Sequence, residues 1–135
     1  VLLGADEETV DALYQYGVES GTAFQIHDDV LDLTVPSEEP GKRRGSDLLE
    51  GKRTIITLHA RQHGVAVDEL LDDEPAEADI DAAVDRLRAA GSIEYARERA
   101  EELTVSSKKR LDVLPESETR TLLADLADYL IHRRY

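Results

Sequence analysis

The chain has 135 residues, enough to bury a core, and its 41% hydrophobic content argues against wholesale disorder. Its 30 acidic and 16 basic residues leave a net charge of −14, a surface that repels nucleic acid and anionic membranes. With no cysteine there is no disulfide or thiolate metal site, and no apolar run approaches the roughly 20 residues of a spanning helix.

Taken in chain order, Asp6 is placed to cap a helix whose first turn carries Glu7 and Glu8, and the helical pattern runs to about Leu33. Gly17 and Gly21 lie four residues apart inside it, which suggests close approach by a neighbouring helix or a ligand. Residues 34–47 read as a loop, punctuated by Pro36, Pro40, Gly41 and Gly45, with one helical turn over 47–50. A helix follows from about Arg53 to His63, stopped by Gly64, and 67–72 suit a short helix. An acidic linker comes next, then helices over 78–90, 92–112 and 117–133. Gly91 and Ser92 are placed as C-cap and N-cap between the first two, Pro115 breaks the second pair, and Ser117 or Glu116 opens the last helix. No run reads as a strand, so the chain is expected to be all-α, a single segment over 1–135.

Scarce aromatic residues, 4% of the chain, agree with packed helices. Lysine occurs only at 42, 52, 108 and 109. That scarcity favours a halophile-like surface over an ordinary low-salt acidic one, its rival reading. The chain starts at Val1 and has no methionine, which reads as a trimmed or partial gene product. No signal peptide is visible, and a cytoplasmic location is expected.

Residues 24–32, FQIHDDVLD, carry the chemistry. On a helix with Asp28 at zero, Asp32 lies at about 40°, Gln25 at about 60° and Asp29 at about 100°. Ile26, Val30 and Leu33 fall on the opposite face. Clustered carboxylates repel one another and become favourable around a hard cation such as Mg²⁺. The spacing also occurs at Glu7-Glu8-x-x-Asp11 and Asp73-Glu74-x-x-Glu77, where a solvated face is the simple reading. The trio differs in being all aspartate and in sitting among Phe24, Ile26, Val30, Leu31 and Leu33. On the residues alone, a metal role and a solvated face stay equally open. His27, at about 260°, points away from the carboxylates and suits helix packing.

The run GKRRGSDLLEGK, residues 41–52, follows. Lys42 and Lys52 suit an anion that arrives with its metal, such as a diphosphate. Arg43 and Arg44 are expected to pair with surrounding acids.

Together these segments resemble the second aspartate-rich region of the trans-type isoprenyl (polyprenyl) diphosphate synthases. Phe24, Gln25, Asp28, Asp29 and Asp32 match its first part. Gly41, Lys42, Gly45, Asp47 and Leu48 match the second, and Gly51, Lys52 and Thr54 the third. Residues 91–103 and 122–134 resemble the helices that come next and last in that family. Ile55-Ile56 stand where the family often has Leu-Pro.

The resemblance implies an all-α bundle of the isoprenoid synthase fold, of which this is the C-terminal half, in a homodimer. It implies that Asp28, Asp29 and Asp32 hold Mg²⁺ on an allylic diphosphate and that Lys42 and Lys52 neutralise it. Gln25 would line the pocket and Phe24 wall the isoprenoid tail. The implied reaction condenses isopentenyl diphosphate with the allylic diphosphate. Catalytic weight falls on Asp28, Asp29, Lys42 and Lys52. The family's first aspartate-rich region is not in these residues, so the chain alone is expected to be inactive. Rival readings are a non-catalytic partner subunit of a heteromeric synthase, a class I terpene cyclase fragment, and an acidic helical module.

Overall fold

The computed structural model describes residues 6–35 and 44–132. Among the described residues every regular element is helical. The α-helices are α1 (Glu7–Thr34), α2 (Ser46–Leu49), α3 (Ile55–Gln62), α4 (Glu77–Ala89), α5 (Ser92–Arg110) and α6 (Glu118–His132). Turns of 3₁₀ helix at Val67–Glu69 and Leu111–Val113 replace the short helix expected over 67–72 and the end of that expected over 92–112.

Local chemistry sets the boundaries. The Asp6 carboxylate accepts the Thr9 amide at 2.7 Å, as its capping role requires. That bond holds the Asp6 carboxyl below its ordinary range. The C-terminal turn of α1 contains no basic residue, and the Thr34 hydroxyl donates back to the Val30 carbonyl at 2.9 Å. Helix α3 begins two residues later than Arg53 because Thr54 is its N-cap. The Thr57 amide donates to Thr54 Oγ1 at 3.2 Å and the Thr54 amide to Thr57 Oγ1 at 3.0 Å. Ile55 and Ile56 fit this regular first turn, and Ile56 is fully buried.

In α4 the buried residues Ile80, Ala83, Val84 and Leu87 follow helical spacing. The junction before α5 differs from expectation. Gly91, at φ +77°, ends α4, and its carbonyl accepts the Tyr95 amide at 2.9 Å to start α5. The buried Ser92 hydroxyl instead meets His59 Nδ1 at 2.9 Å. Ser117 caps α6, accepting the Arg120 amide at 3.1 Å.

The chain forms two compact units, one of described residues 6–25 and 99–132, the other of 26–35 and 44–98. In the first, Tyr16, Leu111 and Ala127 form a buried cluster against Leu114, Leu123 and Ala124. The Tyr16 hydroxyl donates to the Leu123 carbonyl at 2.6 Å. Burial raises its pKa. In the second, Ile26, Val30 and Leu33 of α1 are buried, as are Ile56, Ile80, Leu87 and Ile93. No described helix is long and apolar enough to cross a membrane.

For Gly17 and Gly21 the neighbouring-helix alternative fails among the described residues. A Cβ at either position would meet nothing within 4 Å among the described residues, so no neighbouring helix approaches closely there. Within the described residues each glycine costs α1 helix propensity. Replacing either by alanine should raise unfolding free energy by about 0.5–1 kcal/mol, read from urea denaturation. A loss of stability would mean that the site is occluded after all.

Candidate functional site

The aspartate trio occupies the C-terminal end of α1, and the three carboxylates have separate surroundings. Asp29 is buried, with 7% of its surface exposed, whereas Asp28 and Asp32 are half-buried. The split follows from helix geometry, because adjacent residues are turned about 100° from one another. Asp28 stays at the boundary while Asp29 turns inward. Among the described residues no group of three or more His, Cys, Asp or Glu side chains is arranged to hold a metal ion.

A cation meets the inward carboxylate. Lys52 Nζ lies 3.7 Å from Asp29 Oδ1 and 3.8 Å from Asp47 Oδ2. Its side chain keeps 46% exposure, so the ammonium joins two acids while still facing solvent. A small cavity here is lined by Asp29, Leu33, Asp47, Lys52, Thr54 and Thr57, among others. Asp32 turns to the start of α2. Its Oδ1 accepts the Ser46 hydroxyl at 2.8 Å and its Oδ2 the Asp47 amide at 3.2 Å. Its main-chain carbonyl accepts the Gly45 amide at 2.8 Å.

Arg44 pairs with acids, as expected. Its guanidinium bridges Glu77, at 3.1 Å, and Asp81 at the start of α4. Lys42 and Arg43 lie outside the described residues. Phe24 and Gln25 belong to the first unit, Phe24 half-buried and Gln25 exposed. Asp47 matches the family pattern without a role following from it, and Ser46 carries no sequence signal of its part here. Asp47 carried a usable signal, standing five residues before Lys52 and two after a glycine.

These features sit in a known framework. The Polyprenyl synthetase family matches over residues 1–87, and the chain belongs to that family. It is 60% identical over all 135 residues to the geranylfarnesyl diphosphate synthase of Natronomonas pharaonis and spans 40% of that relative's length. The structure resembles the geranylgeranyl pyrophosphate synthetase of the archaeon Geoglobus acetivorans, with a TM-score of 0.85 and 41% identity. That match covers 98% of this chain and 40% of the other. A Corynebacterium glutamicum geranylgeranyl pyrophosphate synthase, solved with isoprenyl diphosphate and magnesium, matches with a TM-score of 0.81 and 31% identity. There the match covers 97% of this chain and 39% of the other.

Gly45 makes the site's turn possible. It has φ +80°, and an added Cβ would sit 3.4 Å from Ile80 Cγ2. Gly45→Ala should therefore destabilise by about 1–2 kcal/mol, from left-handed strain alone. Urea unfolding measures it, and an unchanged midpoint would contradict the strained turn.

Proposed function

We propose that this chain supplies one metal–diphosphate half of a prenyltransferase. The enzyme condenses isopentenyl diphosphate with an allylic diphosphate into linear isoprenyl diphosphates. The observation that carries this reading is the Lys52 ammonium shared by Asp29 and Asp47, with Asp28 adjacent on α1. Family membership supports it, as does the isoprenyl diphosphate and magnesium in the related C. glutamicum structure.

Carboxylate oxygens are the hard donors Mg²⁺ favours, so Asp28 and Asp29 fit that ion as ligands. When bound, Mg²⁺ supplies charge neutralisation for a departing diphosphate. Lys52 presents a compact ammonium to phosphate oxygens, and Lys42 shares that task. Phe24 and Gln25 keep the substrate-contacting roles that the family resemblance implies. In the reaction the allylic C–O bond breaks as diphosphate leaves. The double bond of isopentenyl diphosphate attacks the resulting allylic cation, and a proton is lost. Excluding water protects that cation.

The same reading makes the protein a cytoplasmic homodimer, whose dimeric state sedimentation velocity checks. Its net charge of −14 suits concentrated salt, which screens self-repulsion.

The site assignment is tested by calorimetric titration with farnesyl diphosphate, with and without Mg²⁺. Asp28→Ala combined with Lys42→Ala should weaken Mg²⁺-dependent binding at least about 100-fold, since it removes one proposed ligand charge and one cation proposed for the diphosphate. Binding that survives the pair would overturn the assignment.

A further inference from the structure

We infer that Asp32 is a positioning residue, and that its carboxylate fixes the turn carrying Asp47 and Lys52 instead of serving as a third metal ligand. The inference rests on the function proposed above. It starts from three hydrogen bonds that Asp32 accepts from three successive residues, Gly45, Ser46 and Asp47. Helix α2 is only four residues long, and its N-cap, Gly45, has no side chain with which to cap it. The N-terminal amides of any helix need acceptors. Here the acceptor comes from α1, so Asp32 acts as the missing cap.

The consequence reaches the cation. The Lys52 amide donates to the Asp47 carbonyl at 2.9 Å, and the Lys52 ammonium lies 3.8 Å from the Asp47 carboxylate. Asp32 therefore acts on Lys52 through Asp47, at main chain and side chain. Both of its carboxylate oxygens are directed at α2, whereas Asp29 is directed at Lys52. The acid-acid-x-x-acid spacing thus unites two different tasks. Asp28 and Asp29 would be the ligands of an ion, and Asp32 holds the loop that brings the lysine.

Asparagine separates the alternatives. Its carbonyl oxygen can accept from the Asp47 amide, and its amide can donate to the Ser46 hydroxyl oxygen. Asp32→Asn therefore keeps the cap and removes the charge. The experiment titrates inorganic diphosphate with Mg²⁺ into the wild type, Asp32→Asn, Asp32→Ala and Asp28→Asn, and follows amide exchange at Asp47 by NMR. Asp28→Asn should weaken Mg²⁺-dependent affinity at least about tenfold, through lost ligand charge. Asp32→Asn should stay within about twofold of wild type, and Asp32→Ala should lose about tenfold or more. Asp47 exchange should quicken at least about fivefold in Asp32→Ala and hold in Asp32→Asn.

An Asp32→Asn loss equal to that of Asp28→Asn, with Asp47 exchange unchanged, would overturn the inference. So would unchanged exchange in Asp32→Ala. If Asp32→Ala does not fold, the two asparagine variants still decide. A wild type that shows no Mg²⁺-dependent binding would sink the proposed function, while the exchange data would still decide whether Asp32 is the cap.

Discussion

A carboxylate in the last turn of a helix, as Asp32 is in α1, faces the negative pole of its dipole, and Asp28 and Asp29 add two more charges one turn earlier. Each unfavourable dipole contact costs about 0.3–1 kcal/mol at an exposed position. Burying a charged carboxylate without a partner costs several times more. The last turn of α1 carries no basic residue to relieve this. Relief comes from the returning chain: the Lys52 ammonium at Asp29, and the Ser46 hydroxyl and Asp47 amide at Asp32. The left-handed Gly45 and the short α2 make that return possible. The Thr54–Thr57 box starts α3 two residues beyond the cation. One electrostatic constraint therefore shapes the segment from Arg44 to Thr57.

Much of the fold was legible because its signals are local. Asp6 and Ser117 cap helices where their residue type suits an N-cap, and the 3.6-residue apolar spacing of α4 places Ile80, Ala83, Val84 and Leu87 inside. The misreadings arose where a local rule admits two outcomes. Ser92 has a capping hydroxyl, yet Gly91 supplies the capping carbonyl and the hydroxyl satisfies His59. Arg53 lies in a plausible first turn, but the helix waits for Thr54. Gly17 and Gly21 suggested close approach by a helix or a ligand, and only the three-dimensional neighbourhood could decide against a helix among the described residues.

The site was legible in part for the same reason. Helical geometry groups Asp28, Asp29 and Asp32, but an arc of about 100° is wide enough to cross from solvent into the core. The wheel ranks them as one stripe. The tertiary structure buries one of them and turns another onto a neighbouring helix. Which carboxylate meets which partner depends on where residues 44–54 return, a long-range fact that spacing does not contain. Arg44 was the easier case, since a guanidinium in so acidic a chain finds a carboxylate almost anywhere.

The choice of lysine at position 52 follows from the same electrostatics. Of the 16 basic residues, four are lysine, leaving twelve arginines. Several of these arginines close acid contacts at hydrogen-bonding distance. Arg61 reaches Asp68 through two nitrogens at 3.1 and 2.8 Å, Arg110 reaches Glu19 at 2.8 Å, and Arg120 reaches Asp112 at 3.0 Å. A planar guanidinium at position 52 would form such a fork with Asp29 or Asp47 and occupy the lone pairs. The ammonium instead stands 3.7 and 3.8 Å away, near enough to offset two charges and too far to engage their oxygens in direct hydrogen bonds. Lys108, at 2.9 Å from Asp128, shows that a lysine in this chain can close to contact. At Asp29 the looser geometry offsets the buried charge without the fixed fork that a guanidinium would impose.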